Sequence, residues 1–400
     1  MRKNIVGKKS FKKISKQKFV VLVLILINVT SCFFCVAQHE NKRVYQNTAS
    51  SVIEAINCID SLNTGRWVRS FWAADGSLYL NKKYKSIDNG KSFVLQNGIN
   101  VDEITRRPER ASISIGKLFY GINGTVEVIS PGIYSVKGWR SIDGLKTLHE
   151  EHDTIYVPDG PAERKNSDEW FGIFVYRTII EMPDGSWLMT MYGNFVNDTI
   201  VPSDLDAKAE TKYMMRTFIV TSRDKGRSWH YLSNVAIPHS GEPTGEGFVE
   251  PAITLLKGGR LLCIMRTGHH YPLYASWSND NGQTWTAPLY TGLDRACDPC
   301  LITLKDGRVA LSWGRRFPEG WSTITPEGDK SAFHFPGEGY VNLAVSNDDG
   351  LSWVNHKVFK NAGSCYSTII EVEPNMLFCQ SDQWVMRIKL RPAFTNTIPK

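Results

Sequence analysis

From Trp67 onward, apolar residues come in short runs separated by polar, glycine-bearing turns, and no sustained 3.6-residue periodicity of helical length appears. The stretch from Glu250 to Trp285 shows one complete unit. Glu250-Pro251 opens an apolar run that ends at Lys257-Gly258-Gly259. A second run, Leu261 to Met265, delivers Arg266. A third, Leu273 to Trp277, leads into Ser278-Asn-Asp-Asn-Gly-Gln-Thr-Trp285. Asp-Gly or Gly-Gly between apolar runs signals a hairpin, because the tight turn needs positive φ. The same signal recurs at Ala74-Asp75-Gly76, Pro183-Asp184-Gly185 and Lys305-Asp306-Gly307.

The eight-residue turn is the second recurring mark. Copies stand at Ser86–Phe93, Ser222–Trp229, Ser278–Trp285 and Ser346–Trp353, with a degenerate copy at Ser141–Thr147. Ser and Asp side chains bond the turn's own backbone, Gly takes a left-handed position, and the aromatic packs back on the sheet. Five copies imply a repeat architecture. The hairpins group into modules at about 67–93, 110–148, 174–229, 248–285, 298–353 and 364–391. The last lacks the turn, which suits a ring whose final sheet is completed by a strand from the N-terminal region. The expected fold is therefore all-β, a six-bladed β-propeller over residues 66–395, with seven blades as the alternative count. A closed ring of small antiparallel sheets also protects strand edges.

Composition adds a leader to this picture. The net charge is +7, but residues 1–18 hold eight basic residues and no acid, so removing them leaves −1. A basic footprint for nucleic acid is thus missing from the remainder, and no nucleic-acid partner is expected. The apolar run Phe19 to Val29 is too short for a stable bilayer anchor, and residues 1–37 read as an export signal. Two cleavage sites compete: a lipoprotein-like Thr30-Ser31-Cys32, which would add a lipid anchor, and Val36-Ala37 before Gln38. The product is expected at the cell surface, in the periplasm or secreted. Residues 38–65 read as a tether and closing strand. Cys297-Asp-Pro-Cys300 has metal-like spacing, but a single such pair reads more readily as small apolar residues near a strand start.

The repeated turn resembles the Asp-box, and the chain resembles the sialidase (neuraminidase) superfamily over most of residues 66–391. The Asp-box itself bears on fold and not on chemistry. The more specific likeness is one of order and spacing: Glu250 at a strand start, Arg266 sixteen residues on, and Cys365-Tyr366-Ser367 opening a strand near the C-terminus. The resemblance implies that Tyr366 is a nucleophile and Glu250 the base that takes its proton. Arg266 would clamp an acidic sugar through a bidentate contact. Each residue has a structural alternative: an ion pair for Glu250 and Arg266, a core aromatic for Tyr366.

The chain departs from the family pattern in three places. The first clamp arginine lacks its usual motif, and Arg69 takes its place. Where a third arginine is expected the chain reads Gly337-Glu338-Gly339-Tyr340, so Arg315 and Arg316, beside Trp313, are the substitutes. No acid loop lies between Arg69 and Ser86, and the general acid is not identified; Asp298, beside Pro299 at another strand start, is a candidate acid. Arg177 is a further pocket-lining candidate, and His269, in a loop with His270 and Tyr271, would shuttle protons or stack on sugar. The implied activity is an exo-glycosidase releasing a terminal sialic or uronic-type sugar from a glycan. The alternatives are a polysaccharide lyase on the same fold and a non-catalytic glycan-binding propeller. None of these readings calls for a metal or other cofactor.

Overall fold

The computed structural model describes residues 52–61, 70–72, 76–80, 84–95, 110–162, 171–202, 211–240, 245–268, 272–293, 296–315, 340–359, 366–381 and 384–393. Among them there are 24 strands and no α-helix. The expected export signal, Arg69, His269 and Arg316 lie outside the described residues. The strands are β1 (Ile53–Ser61), β2 (Ser70–Trp72), β3 (Leu78–Leu80), β4 (Tyr84–Ser86), β5 (Val94–Leu95), β6 (Ala111–Ile115), β7 (Leu118–Ser130) and β8 (Ile133–Ser141). They continue with β9 (His149–Tyr156), β10 (Ile173–Glu181), β11 (Trp187–Gly193), β12 (Arg216–Ser222), β13 (Ser228–Ala236), β14 (Val249–Leu255), β15 (Leu261–Arg266) and β16 (Tyr274–Ser278). The last are β17 (Leu289–Tyr290), β18 (Cys297–Thr303), β19 (Val309–Arg315), β20 (Tyr340–Ser346), β21 (Val354–Phe359), β22 (Ser367–Glu373), β23 (Met376–Ser381) and β24 (Trp384–Leu390).

Three antiparallel four-stranded sheets are continuous in sequence: β2–β5, β14–β17 and β18–β21. A fourth joins β22–β24 to β1 from the far end of the chain, with Ile53 opposite Leu390 and Ser61 opposite Trp384. The remaining strands differ from the expectation of separate blades. β6–β9 and β10–β13 are two antiparallel runs that join into one closed eight-stranded barrel. Two short parallel pairings make the join: Arg177 and Thr178 of β10 against Ala111 and Ser112 of β6, and Ser228 to His230 of β13 against Thr154 to Tyr156 of β9. Strand β7 runs for 13 residues, and the long β7–β8 hairpin carries β9 alongside β13. There the edge groups of both strands pair with each other instead of facing water. The first strands make a cycle: β2 touches β6, β6 touches β10, and so on through β14, β18 and β22 back to β2.

The Asp-box turns hold neighbouring sheets together. In one, the Ser278 hydroxyl donates to Asp280 at 2.8 Å and accepts the Gly282 N–H at 2.9 Å, while Asp280 accepts the N–H and hydroxyl of Thr284. This satisfies the turn locally and leaves its tip free to dock. Each tip meets the preceding sheet. The Tyr120 hydroxyl reaches Gly226 O at 3.1 Å, Ser233 donates to Gly282 O, Trp277 Nε1 donates to Asp349 O at 2.8 Å, and Asn89 donates to Glu373 at 3.0 Å. Asn89, Lys225, Asn281 and Asp349 all stand at φ 59° just before the turn glycine, so two successive residues are left-handed. At Gly350 (φ 85°) a β-carbon would lie 2.5 Å from Leu262 Cδ2, so both the backbone angle and the close approach require glycine.

Behind the turns lies an aromatic and aliphatic core. Trp187, Trp229 and Tyr120 are fully buried and pack with ring centroids 5.7 to 6.4 Å apart. Trp229 is the Asp-box aromatic of its unit, so it serves packing.

Candidate active site

Three first strands begin irregularly. The antiparallel register slips between Val175 and Ile179 in β10, between Val249 and Ala252 in β14, and between Cys297 and Cys300 in β18. Glu250 and Asp298 sit inside the second and third slips, at φ 46° and 49°, each directly before a proline. A non-glycine residue at positive φ is strained, and a residue before proline is normally extended. Strain of this kind persists where the surroundings over-determine it and is concentrated at functional positions. The bulge re-aims the side chain, and here it brings acidic groups from adjacent strands together.

Asp298, fully buried, is the hub. Its carboxylate accepts the Tyr176 hydroxyl and pairs with the Arg177 guanidinium. Its N–H donates to Glu250 Oε2 at 2.8 Å, and its carbonyl accepts from Arg177 Nη1 at 2.8 Å. Arg177 Nη2 extends further, donating to the Ser367 carbonyl and, at 3.4 Å, to Thr368 Oγ1. On the other side, Glu250 Oε1 meets Arg266 Nη1 at 3.1 Å, and Arg266 Nη2 meets Glu246 Oε1 at 2.9 Å. One continuous chain of charge-assisted contacts thus runs from Glu246 through Arg266, Glu250, Asp298 and Arg177 to the start of β22. Burial at this depth is tolerable because each charge faces an opposite one.

The electrostatics bear on two tyrosines. Burial, then the nearby Asp298 and Glu250 carboxylates, pushes the Tyr176 phenol well above the ordinary tyrosine range. Burial, then Glu250, does the same to Tyr192, which packs edge-on to Tyr176 at 5.7 Å. Both phenols are locked neutral. For Arg177, burial opposes the charge, but Asp298 together with Cys300 and Tyr176 outweighs it and raises the pKa. Tyr366 is half-buried and stands immediately before Ser367, the residue whose carbonyl Arg177 holds.

Of the residues singled out from sequence, Glu250, Arg266, Arg177 and Asp298 come together in this cluster, and Tyr366 adjoins it in sequence. Arg315 closes β19. Glu246, Tyr176 and Tyr192 were missed. Tyr176 had a signal, since it precedes Arg177 directly; Glu246 and Tyr192 show none beyond lying near the strand starts. The Cys297 and Cys300 side chains are both buried in β18, and the Cys300 sulfur accepts the Ile369 N–H at 3.5 Å. Among the described residues no group of three or more His, Cys, Asp or Glu is placed to hold a metal ion.

The arrangement can hold a carboxylate in one orientation. Glu250 has its oxygens fixed by Arg266 and by a backbone N–H, the kind of anchoring that a general base requires.

Comparison with known proteins follows the same lines. Residues 131–379 match the family model for the BNR repeat-like domain. No curated protein matches the chain. Among solved structures, a protein of unknown function from Dyadobacter fermentans superposes with a TM-score of 0.55 at 14% identity, covering 85% of this chain and 100% of that one. The Hadza microbial sialidase Hz136 gives 0.52 at 14% identity, covering 81% of this chain and 65% of that one. The Trypanosoma rangeli sialidase gives 0.45 at 13% identity, covering 82% of this chain and 55% of that one. This chain therefore spans under two thirds of each of those two sialidases. The family match extends over more than half of the sequence, and the chain belongs to the BNR repeat-like domain family, with an all-β, sialidase-type fold.

Proposed function

We propose that this chain is an exported, exo-acting glycosidase built on a six-bladed β-propeller. The propeller reading is supported by the cyclic contact of six first strands and by the division of the eight-stranded barrel into two antiparallel runs of four. Export is supported by the basic and then apolar residues 1–29; cleavage before Cys32 would add a lipid anchor.

The observation that carries the catalytic reading is the strained, buried Glu250, fixed by Arg266 and Asp298 and linked through Arg177 to the strand that Tyr366 opens. In the proposed reaction the Tyr366 oxygen attacks the anomeric carbon as Glu250 takes the phenol proton. The glycosidic oxygen departs with a proton from a general acid. Water then gives a proton back to the general acid and attacks the anomeric carbon, breaking the sugar–tyrosine bond and releasing the sugar, while Glu250 returns its proton to the Tyr366 oxygen. A neutral phenol suits an anomeric centre that bears its own carboxylate, so the substrate is a terminal acidic sugar of a glycan. Arg266 enters the clamp already shared with Glu246 and Glu250, so the proposal assigns further positive charge to Arg69, Arg315 and Arg316 and proton transfer or sugar stacking to His269.

Product analysis by mass spectrometry tests this. Wild type and Tyr366→Phe are incubated with sialylated, uronate-capped and neutral oligosaccharides. Release of an acidic monosaccharide by wild type alone is the expected result. An unsaturated product absorbing in the ultraviolet would replace the hydrolase with a lyase. Binding without product would replace both with a glycan-binding module, and equal turnover by Tyr366→Phe would remove the tyrosine nucleophile.

A further inference from the structure

Arg177 carries an expectation of substrate contact, yet its guanidinium is almost wholly enclosed and engaged on both sides. Nη1 is held by the Asp298 carbonyl and carboxylate, and Nη2 by the Ser367 carbonyl and Thr368 hydroxyl. The three elements it joins are remote in sequence: β10 bears the arginine, β18 carries the hub aspartate as its second residue, and β22 begins one residue after Tyr366. Asp298 in turn is fixed from β10 by Tyr176 and fixes Glu250 on β14 through its own N–H.

We infer that Arg177 and Asp298 are positioning residues: they form a tie that sets the placement of Tyr366 relative to Glu250, and neither contacts substrate. The inference rests on the glycosidase reading for its functional meaning, because Glu250 and Tyr366 are the reacting pair there. Its geometry stands on three links. Glu250 is bonded to the backbone of Asp298, Asp298 is paired with Arg177, and Arg177 grips the carbonyl of Ser367, the residue that follows Tyr366. Holding that carbonyl fixes the Ser367–Thr368 peptide plane and, through the Ser367 backbone, the point from which the chain enters Tyr366. A planar guanidinium can hold the aspartate and this carbonyl at once; a lysine ammonium is a point charge on a flexible stem and cannot span both in one geometry. The hub's strained backbone fits the same role, since a distorted strand start is kept where a side chain must be aimed.

The test uses the full mature protein with 3-fluorotyrosine at position 366, so that a single ¹⁹F resonance reports its surroundings without any substrate. Arg177→Lys keeps the charge opposite Asp298 and is the variant expected to fold; Thr368→Val removes the 3.4 Å contact to Arg177 while leaving the Ser367 carbonyl bond in place, and serves as a control. Far-ultraviolet circular dichroism checks the fold of each. The expected result is a shifted or split resonance in Arg177→Lys and in Asp298→Asn, and an unshifted one in Thr368→Val. On whichever fluorogenic sialoside or glucuronide the wild type cleaves, kcat falls ten- to a hundredfold in Arg177→Lys while KM stays within about twofold. An unchanged resonance in folded Arg177→Lys overturns the tie. A raised KM with kcat intact also overturns it and returns Arg177 to substrate binding. A shifted resonance in a protein that cleaves no glycan upholds the tie and removes the glycosidase reading, so the two failures are distinct.

Discussion

Asp153 offers a sharp test of how the eight-stranded barrel is held together. It sits on β9 almost without solvent contact, and its Oδ2 accepts the Tyr120 hydroxyl at 2.8 Å. Trp229 Nε1 approaches the same hydroxyl at 3.4 Å, and Arg140, 4.7 Å from the Tyr120 ring centroid, is paired with Glu151. Burial pushes the Asp153 carboxyl up to about 7 from 3.8, against the lowering effect of the Tyr120 bond; Glu151 adds to the rise, and Arg140 and Arg227 oppose it. The folded protein therefore keeps a proton that the unfolded chain gives up near pH 4. Stability is greatest below pH 3.8 as far as this group is concerned, falls as pH rises towards 7, and is flat above that. A rise of this size has a ceiling of about 4 kcal/mol, and relaxation of the surroundings around the ionised carboxyl reduces it to about 2 kcal/mol. Asp153→Asn removes the ionisation and keeps an acceptor for Tyr120. The variant should be more stable than wild type by about 2 kcal/mol at pH 8.5, with the advantage gone or reversed at pH 4.5. Urea titrations followed by tryptophan fluorescence at the two pH values measure this. A variant-minus-wild-type difference that stays constant between them refutes the reasoning.

The Asp-box aspartates titrate in the opposite sense. The Thr284 hydroxyl, then its N–H and the Ser278 hydroxyl, hold Asp280 down at about 2 from 3.8, so its contribution is present above pH 3.8 and lost as pH falls through 2. Thermal unfolding of Asp280→Asn should show a shallower fall between pH 4 and 2 than wild type; parallel curves would remove the turn from the acid response. Gly350→Ala should cost about 2 kcal/mol in urea denaturation, from the left-handed backbone and the approach to Leu262, and a loss below about 0.5 kcal/mol would show that the turn relaxes freely. Arg177→Met leaves Asp298 buried without its cation and should lose about 3 kcal/mol. Adding Asp298→Asn to it should restore part of that in a double-mutant cycle, and strictly additive losses would mean that the pair does not act as a unit.

Features specified by neighbours in sequence were legible, and so was the completion of the last sheet by an N-terminal strand, whereas side-chain contacts assembled across the molecule were not. The Ser278–Asp280–Gly282 turn satisfies itself within a few residues, so its pattern can be read directly from the chain. Glu250 and Arg266 were legible through their spacing around one hairpin, and the structure pairs them. The Arg177–Asp298 contact joins residues 121 apart, and nothing in either local pattern points to the other. The left-handed backbone at Glu250 and Asp298 ran against the local rule that a residue before proline is extended; tertiary contacts from Arg266, Tyr176 and Arg177 override it. The merging of two four-stranded runs into one barrel was hidden for a similar reason, since it depends on five residue pairs in parallel register that leave no periodic trace.

The pairing of β1 with β24 has a consequence for the time course of folding. Ile53 must find Leu390, so the sheet they share stays one strand short until nearly the whole sequence has been made. Its loop-closure entropy is met last and is the largest in the molecule. The other sheets can form as their strands emerge, whereas this one acts as a clasp fastened at the end. Shortening the chain into residues 53–61 would accordingly leave the clasp open and β24 bare at an edge, instead of merely trimming an end.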